Sequence, residues 1–524
     1  MNKIILLFLI TVSIFAKDAN IKKEKIEKKD SIMSEELLKT KTKDLKVNDE
    51  ILKYISIEGY FRTGMNYRNN YDLNSFSLTN NDSVVGSSKH KPTIDEFKEG
   101  KSSSRSTVSY NTRFRFSPNI VVGEYLRAVA TIDIFDNKLY GDNTESLLFA
   151  KEAYFEGTTP LGKFYVGRMA TDWGLGMYRN SGKGKFSNYG TYIDQVQFEV
   201  RDVLSFIPFL SFKLAYEVKD SSAKDTNLYS DSQSINYDIE DEDDYVGFSL
   251  YIQSKIDGEE LDAYLLENSM RLNYGLFLAR SWKNKTTTIN LNKTDENSSK
   301  LSYEDSSLDY YTVDAFFEFY HKKDFTVKGE VIYLFGENEE NKSFSQWGAA
   351  LKTNAHFLMN TLSIGLDAGI ASGESSDDRD AYTINASKSK MNDFTFNLDF
   401  DVDLIFFKEI HSLSSLYYIR PHVKWLATKN ISLELWAITS MALNESQTYG
   451  RDKYLGTEID MSLEYLNRDG LNFGLRTGVY VPGKGMDYLG TDGKRTSTSS
   501  ADDLTSDFAA ELAYTIQLFL IMKF

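Results

Sequence analysis

Residues 167–186, GRMATDWGLGMYRNSGKGKF, set several glycines beside Lys183, in the manner of a loop that cradles a phosphate. That chemistry needs four residues before the Gly-Lys pair and then Ser or Thr. Five residues separate Gly176 from Gly182, and Gly184 follows Lys183, so the amides would not close on a phosphate. No strand leads through the stretch into a helix. Nucleotide binding is excluded. The stretch reads instead as a glycine-rich turn at a rim or folded into a pore, with Trp173, Gly174 and Gly176 forming a rim or constriction loop and Arg168 below. A well-packed hairpin tip is the alternative.

Other reactive constellations are no better formed. The five histidines, His90, His321, His356, His411 and His422, include no pair at the close helical spacing of a zinc site. The acidic run DIEDEDD at 238–244 lacks the ordered ligand spacing of a calcium loop and reads as solvated. No Ser and His are nominated as partners for a hydrolase at a barrel rim. Neither a catalytic residue, a metal site nor a cofactor is expected.

The elements that would carry these residues announce themselves at the C-terminus, AYTIQLFLIMKF. Tyr514, Ile516, Leu518, Leu520, Met522 and Phe524 share one parity, while Thr515, Gln517 and Lys523 fall on the other. A period of two means a strand with an apolar environment on one side. At the other end, MNKIILLFLITVSIFA has a basic start and an apolar run too short to span a bilayer, which needs about 20 residues. Residues 1–16 are read as a cleavable export signal. Residues 17–50 are charged and free of aromatics, and are read as a flexible periplasmic arm. The rest, 51–524, is the folded domain.

Composition narrows the destination. No later segment approaches 20 uninterrupted apolar residues, which excludes a helical inner-membrane protein. Cysteine is absent, so there is neither a disulfide framework nor a lipidated cysteine. The 33 Tyr and 34 Phe against 6 Pro suit many long strands with ring-bearing ends. The formal charge of −16 disfavours a nucleic-acid partner.

Strand patterns recur from about Ile55, and their links alternate between long and tight. Long links are expected at 73–104, 136–146, 170–190, 219–243, 283–307, 337–342 and 373–412, and tight turns at 117–119, 202–203, 322–324, 359–360, 428–430 and 467–470. The link 254–268 breaks the alternation and suits a short helix. Eighteen strands result. Sorted links are what a transmembrane antiparallel β-barrel requires, with short periplasmic turns, long outer loops and both termini periplasmic. The expected fold is therefore an all-β outer-membrane barrel of about 18 strands.

Alternation then assigns side chains to the lumen: Arg113, Arg115, Arg127, Asp133, Arg168, Glu199, Arg201, Asp314, Glu318, Glu330, Asp367, Glu458, Asp460, Glu464 and Arg476. Both signs would line the interior. A barrel of 16–18 strands is wide enough for an aqueous channel.

In GYFRTGMNYRNNYDL, VGRMATDWGLGM and YLGTEIDMSLEYLNRDGLNFGLRTGVYVPG the chain resembles a family of outer-membrane barrels of predatory and gliding bacteria that carry a G-R-M-x-x-x-W-G-L-G hairpin and have no established activity. More distantly, LGTEID and GVYVPG resemble the alginate-export porins. That likeness implies eighteen strands and an Arg-rich lumen guiding a polyanion, which Arg113, Arg115, Arg127, Arg168, Arg201 and Arg476 could provide, with Glu458, Asp460 and Glu464 interleaved. Outer-membrane barrels as a family commonly end on such a strand with a terminal Phe, read by the barrel assembly machinery. The leading functional reading is a passive channel for ions or small hydrophilic solutes. A non-conducting barrel whose surface loops bind a ligand, polymer or partner is the alternative, and the oligomeric state is left open.

Overall fold

The computed structural model describes residues 54–71, 73, 106–123, 125–139, 148–204, 206–219, 245–292, 300–337, 343–373, 392–411, 413–445, 448, 450, 452–467, 470–487 and 509–524. The expected export signal, the arm and the run 238–244 lie outside them. The chain divides into Met1–Ser56 and Ile57–Phe524, and the barrel from Ile57 onward belongs to the second.

Eighteen strands follow one another: β1 (Ile55–Asn69), β2 (Ser106–Val122), β3 (Leu126–Leu139), β4 (Leu148–Thr159), β5 (Gly162–Ala170), β6 (Tyr192–Arg201), β7 (Leu210–Lys219), β8 (Tyr245–Ser254), β9 (Met270–Asn292), β10 (Lys300–His321), β11 (Phe325–Glu337), β12 (Ser343–Phe357), β13 (Leu362–Ala371), β14 (Leu416–Leu426), β15 (Ile431–Ala442), β16 (Tyr454–Leu466), β17 (Leu471–Pro482) and β18 (Ala513–Lys523). Each pairs antiparallel with its neighbours, and β1 pairs with β18 from Tyr60↔Lys523 to Asn69↔Tyr514. The sheet is therefore closed and leaves no edge strand.

Links separate by length. One rim of the barrel carries tight turns and the other the long links. The exceptions on the turn side are the link 202–209 between β6 and β7 and the link between β8 and β9, which holds the expected short helix, α1 (Gly258–Glu267). Three boundaries depart from the sequence reading. The turn between β2 and β3 falls at 123–125, not 117–119, because Pro118 is compatible with an extended chain whereas Gly123, at φ +70°, supplies the left-handed step. The link after β6 runs through Asp202–Phe209, with both end residues at positive φ. Much of the expected 283–307 loop is strand, since β9 and β10 stay paired as far as Asn292↔Lys300.

Alternation gives the wall two faces. On β18, Ala513, Thr515, Phe519 and Ile521 are buried inward, while Ile516, Leu518, Leu520, Met522 and Phe524 are exposed outward and Tyr514 is half-buried on the same face. Ring contacts gather near both ends of this outer band. Tyr67–Tyr514 at 5.9 Å and Tyr311–Phe335 at 5.4 Å lie toward the long-link rim; Tyr465–Phe473 at 5.0 Å lies toward the turns. An apolar band bounded by aromatics is the surface of a transmembrane β-barrel.

Candidate functional site: a lumen held by two inward segments

The inner wall carries charges, yet few of them face open water. Residues 171–191, linking β5 to β6, turn inward rather than standing at the rim. Trp173 packs its ring against Tyr251 at 5.5 Å, Phe277 at 5.8 Å and Phe316 at 4.9 Å. Phe316 is five residues from the turn-side end of β10, so Trp173 lies well down the lumen. Gly174 and Gly176 adopt φ of +55° and +83°. A Cβ on Gly174 would meet Glu330 Oε2 at 2.5 Å, and the next amide, Leu175 N–H, donates to that same oxygen.

Four arginines fix this hairpin. Arg179 donates from Nη1 and Nη2 to Glu217 Oε1 and Oε2, both at 2.7 Å, with its guanidinium 4.5 Å from the Phe277 ring centroid. From the wall, Arg62 and Arg113 donate to the Ser187 carbonyl at 3.1 and 2.8 Å, and Arg115 to the Gly182 carbonyl at 3.3 Å while gripping Asp133 at 2.7 and 2.8 Å. Backbone carbonyls in a folded-back loop have no ladder partners, and buried guanidinium groups satisfy them.

Residues 392–411 form the second inward segment, ending in a single π-helical turn, Phe406–Ile410. Its Phe394, Phe396, Leu404, Ile405 and Phe406 are fully buried, joining one hydrophobic core with Trp173, Phe277, Tyr310, Ile332 and Tyr418 of the hairpin and wall. Glu458 anchors it by accepting three successive amides: Leu404 N–H at 3.0 Å, Ile405 N–H at 2.8 Å and Phe406 N–H at 2.8 Å. Asp403 accepts Phe407 N–H at 2.8 Å and Lys408 N–H at 3.1 Å. The segments also meet directly. Asn397 N–H donates to the Met177 carbonyl at 2.7 Å, and Asp399 accepts the amides of Asn188 and Tyr189, both at 2.8 Å.

Between the two segments lies a cavity of about 230 Å³ lined by Lys185, Phe186, Asp399, Phe400, Asp401 and Lys408 among others. The Asp401 side chain is half exposed, with Lys408 Nζ at 3.5 Å and Arg476 Nη2 at 3.9 Å. Lys185 donates to Glu464, and Arg476 stacks on Phe186 at 4.2 Å. Any passage through this gap meets both signs of charge within a few ångströms.

Of the residues assigned to the lumen by alternation, all but one point inward. Arg127 meets Glu156; Arg201 donates to Glu199 at 2.7 Å; Glu318 accepts Asn273 Nδ2 at 3.0 Å and Lys328 Nζ at 3.3 Å; Asp367 accepts Arg420 Nη1 at 3.0 Å. Asp314 and Asp460 are fully buried, beside Glu330 and Glu458 on neighbouring positions of the wall. Arg168 is the exception. It shares the outward face with exposed Val166 and lies opposite exposed Ala153, and it forms a bidentate pair with Asp194 at 2.9 and 2.7 Å. An unpaired Arg facing mid-membrane would cost about 2–4 kcal/mol; pairing with the cross-strand carboxylate offsets part of that. The arginine under Trp173 is Arg179, which no strand pattern marks. Its partner Glu217 shares the polar parity of Ser211 and Lys213, a signal that alternation could have used.

Replacing Gly174 by alanine is expected to destabilise the seated hairpin by about 1–3 kcal/mol, because a Cβ must tolerate a left-handed φ against Glu330. The urea midpoint of the refolded barrel measures this, and an unchanged midpoint would mean that the loop does not rest on Glu330.

No protein-family model matches the chain, and no curated protein matches it. Among solved structures it is similar to OccAB3 of Acinetobacter baumannii (8% identity, 90% of this chain and 99% of that chain, TM-score 0.48) and to OccK11 (OpdR) of Pseudomonas aeruginosa (9%, 90% and 96%, TM-score 0.45). A third is the anion-selective porin from Comamonas acidovorans (11%, 90% and 99%, TM-score 0.38). At such identities the likeness concerns barrel architecture alone.

Proposed function

We propose that this barrel is a porin-like outer-membrane channel for ions or small hydrophilic solutes, with passage confined to the gap between the two inward segments. The carrying observation is the pairing of an apolar, aromatic-bounded exterior with a cavity inside the lumen lined by Lys185, Lys408, Asp399 and Asp401 among others. The asymmetry of link lengths supports an orientation with the tight turns, the start of β1 and the end of β18 on the periplasmic side and the long links outside. Outer-membrane lipid surrounds it, and the β18 pattern ending in Phe524 suits recognition by the assembly machinery. Export of a polyanion is disfavoured, since Arg113, Arg115 and Arg476 are engaged by the inward segments and Arg168 faces outward.

Single-channel recording of the refolded mature chain in a planar bilayer tests the proposal. Stable ohmic steps of low conductance, with ion preference read from a salt gradient, support it. Silence from a verified folded barrel overturns it in favour of a non-conducting barrel with ligand-binding surface loops, a reading that the continuous core inside the lumen favours.

The proposal carries a pH dependence. Burial pushes the Asp403 carboxyl well above the usual carboxylate range, reinforced by the charge of Glu458, and burial likewise raises Asp399. A carboxyl with a raised pKa in the seated segment contributes seating strength that is fully present below its unperturbed pKa and is lost as pH rises through the raised value. Asp401 has the opposite sign. Its place inside the barrel, partly withdrawn from bulk water, would raise it, but Lys408, Arg476, Arg420 and Lys352 outweigh that and hold it below the usual range, so its contribution is lost only below about pH 4. Conductance is therefore expected to increase as pH rises above the ordinary carboxylate range of about 4; a flat or falling profile would contradict this assignment.

A further inference from the structure

The charges around the cavity between the two inward segments are unequally engaged. Asp399 and Asp403 each accept two backbone amides. Asp401 stands between them in sequence, accepts no amide among the described residues, and keeps 51% of its side chain exposed. Its nearest cations, Lys408 Nζ at 3.5 Å and Arg476 Nη2 at 3.9 Å, lie beyond a well-formed hydrogen bond. Arg476 is the mirror case. Only 5% of its side chain is exposed, its guanidinium lies 4.2 Å from the Phe186 ring centroid, and it donates no hydrogen bond among the described residues. A guanidinium's fork of N–H donors is the shape that grips a carboxylate through two parallel bonds.

Two rings complete the surroundings. Phe186 carries Arg476, and Phe400 carries Lys352, whose Nζ is 4.3 Å from the ring centroid and forms no ion pair among the described residues. Both rings line the cavity, together with Asp399, Asp401 and Lys408. Cationic nitrogen, carboxylate and apolar wall thus converge on one space of about 230 Å³. At about 30 Å³ per water that is room for about eight waters. A solute of about eight non-hydrogen atoms fits, and an oligosaccharide does not.

We propose that this cavity is a binding site for free α-amino acids with small apolar side chains; this names the solute class of the channel proposed above and rests on that reading. The solute's carboxylate takes the Arg476 fork with Lys408 beside it, its ammonium meets Asp401 and Asp399, and its side chain lies against Phe186 and Phe400. Solutes of a single charge fit less well. A lone carboxylate drawn to Arg476 sits against Asp401, and a lone ammonium drawn to Asp401 sits against Arg476 and Lys408. An α-amino acid carries both charges on one carbon, a few ångströms apart, and meets each with its opposite. Asp399 can take part while holding its two amides, because each carboxylate oxygen has a second acceptor site.

The test uses the full mature chain, refolded and checked for heat-modifiable mobility. Its current in potassium chloride is recorded first in a planar bilayer, then titrated with L-valine, with isovalerate, which lacks the ammonium, or with isobutylamine, which lacks the carboxylate. Valine is expected to reach half-block at a concentration about tenfold below either analogue. Asp401→Asn should remove that advantage and favour isovalerate, whereas Arg476→Gln should favour isobutylamine. A merely structural role for either residue would not reverse the order of the analogues. Asp401 accepts no backbone amide among the described residues, so D401N decides the matter if R476Q fails to fold. Valine blocking no better than its analogues in a conducting barrel, or an order unchanged in D401N, would overturn this inference and leave the channel reading standing. A barrel silent in potassium chloride would overturn the channel reading and this inference with it.

Discussion

Replacing Glu458 by alanine is expected to release residues 392–411 and raise conductance severalfold. Glu458 is fully buried and accepts three consecutive amides at the start of the π-helical turn. Leaving a buried hydrogen-bonding group unsatisfied costs about 1–3 kcal/mol, and three amides lose one shared acceptor, so a combined loss of about 3–5 kcal/mol is expected. That loss drives the segment to leave. Because the ladder of β16 is made by the backbone, the barrel itself should keep its heat-modifiable mobility. Glu458→Gln, which retains one acceptor oxygen, should fall between. Cleavage of residues 392–411 by an added protease gives a readout independent of conduction. Unchanged conductance together with unchanged cleavage would show that the carboxylate does not anchor the segment.

The second large effect is expected at Arg179. Its removal takes from the buried Glu217, which also meets Tyr251, the guanidinium that grips both of its oxygens, and breaking such a pair from one side costs about 3–5 kcal/mol. Arg179→Met should therefore unseat the hairpin, lowering the urea midpoint and exposing Trp173 to water, a red shift that the matched Trp173→Phe control should lack. The double variant R179M/E217M removes both charges at similar volume and should recover most of the loss. If the double variant were as damaged as the single, packing of the arginine stem, and not the ion pair, would account for the effect.

Why some of this could be read from residues alone follows from what each signal contains. A closed sheet repeats every two residues, so the faces of β16 and β18 and the sorting of the links were legible. Parity also carries no knowledge of the neighbouring strand. In GKFYVGRM one face offers Phe164, Val166 and Arg168 and the other Lys163, Tyr165 and Met169; only the register that sets Asp194 opposite Arg168 decides the face. The inward segments were illegible for a related reason. Their phenylalanines are spaced irregularly, and what holds them is supplied from afar, by Glu458 to Leu404, Arg113 to Ser187 and Glu217 to Arg179.

Strands β10 and β11 present large apolar side chains on both faces. Tyr311, Val313, Phe317, Val331, Tyr333 and Phe335 are exposed outward, while Tyr310, Phe316, Ile332 and Leu334 are buried inward. Hydrophobicity is therefore a poor proofreader of their alignment: a shift by one residue would exchange the faces and still show lipid a row of rings and branched chains. The residues that forbid it are Asp314, Glu318 and Glu330, each of which the shift would turn into hydrocarbon. Three carboxyl groups that the interior must accommodate at a cost thus act as the key in a lock, making every misthreaded barrel of this sequence worse than the native one.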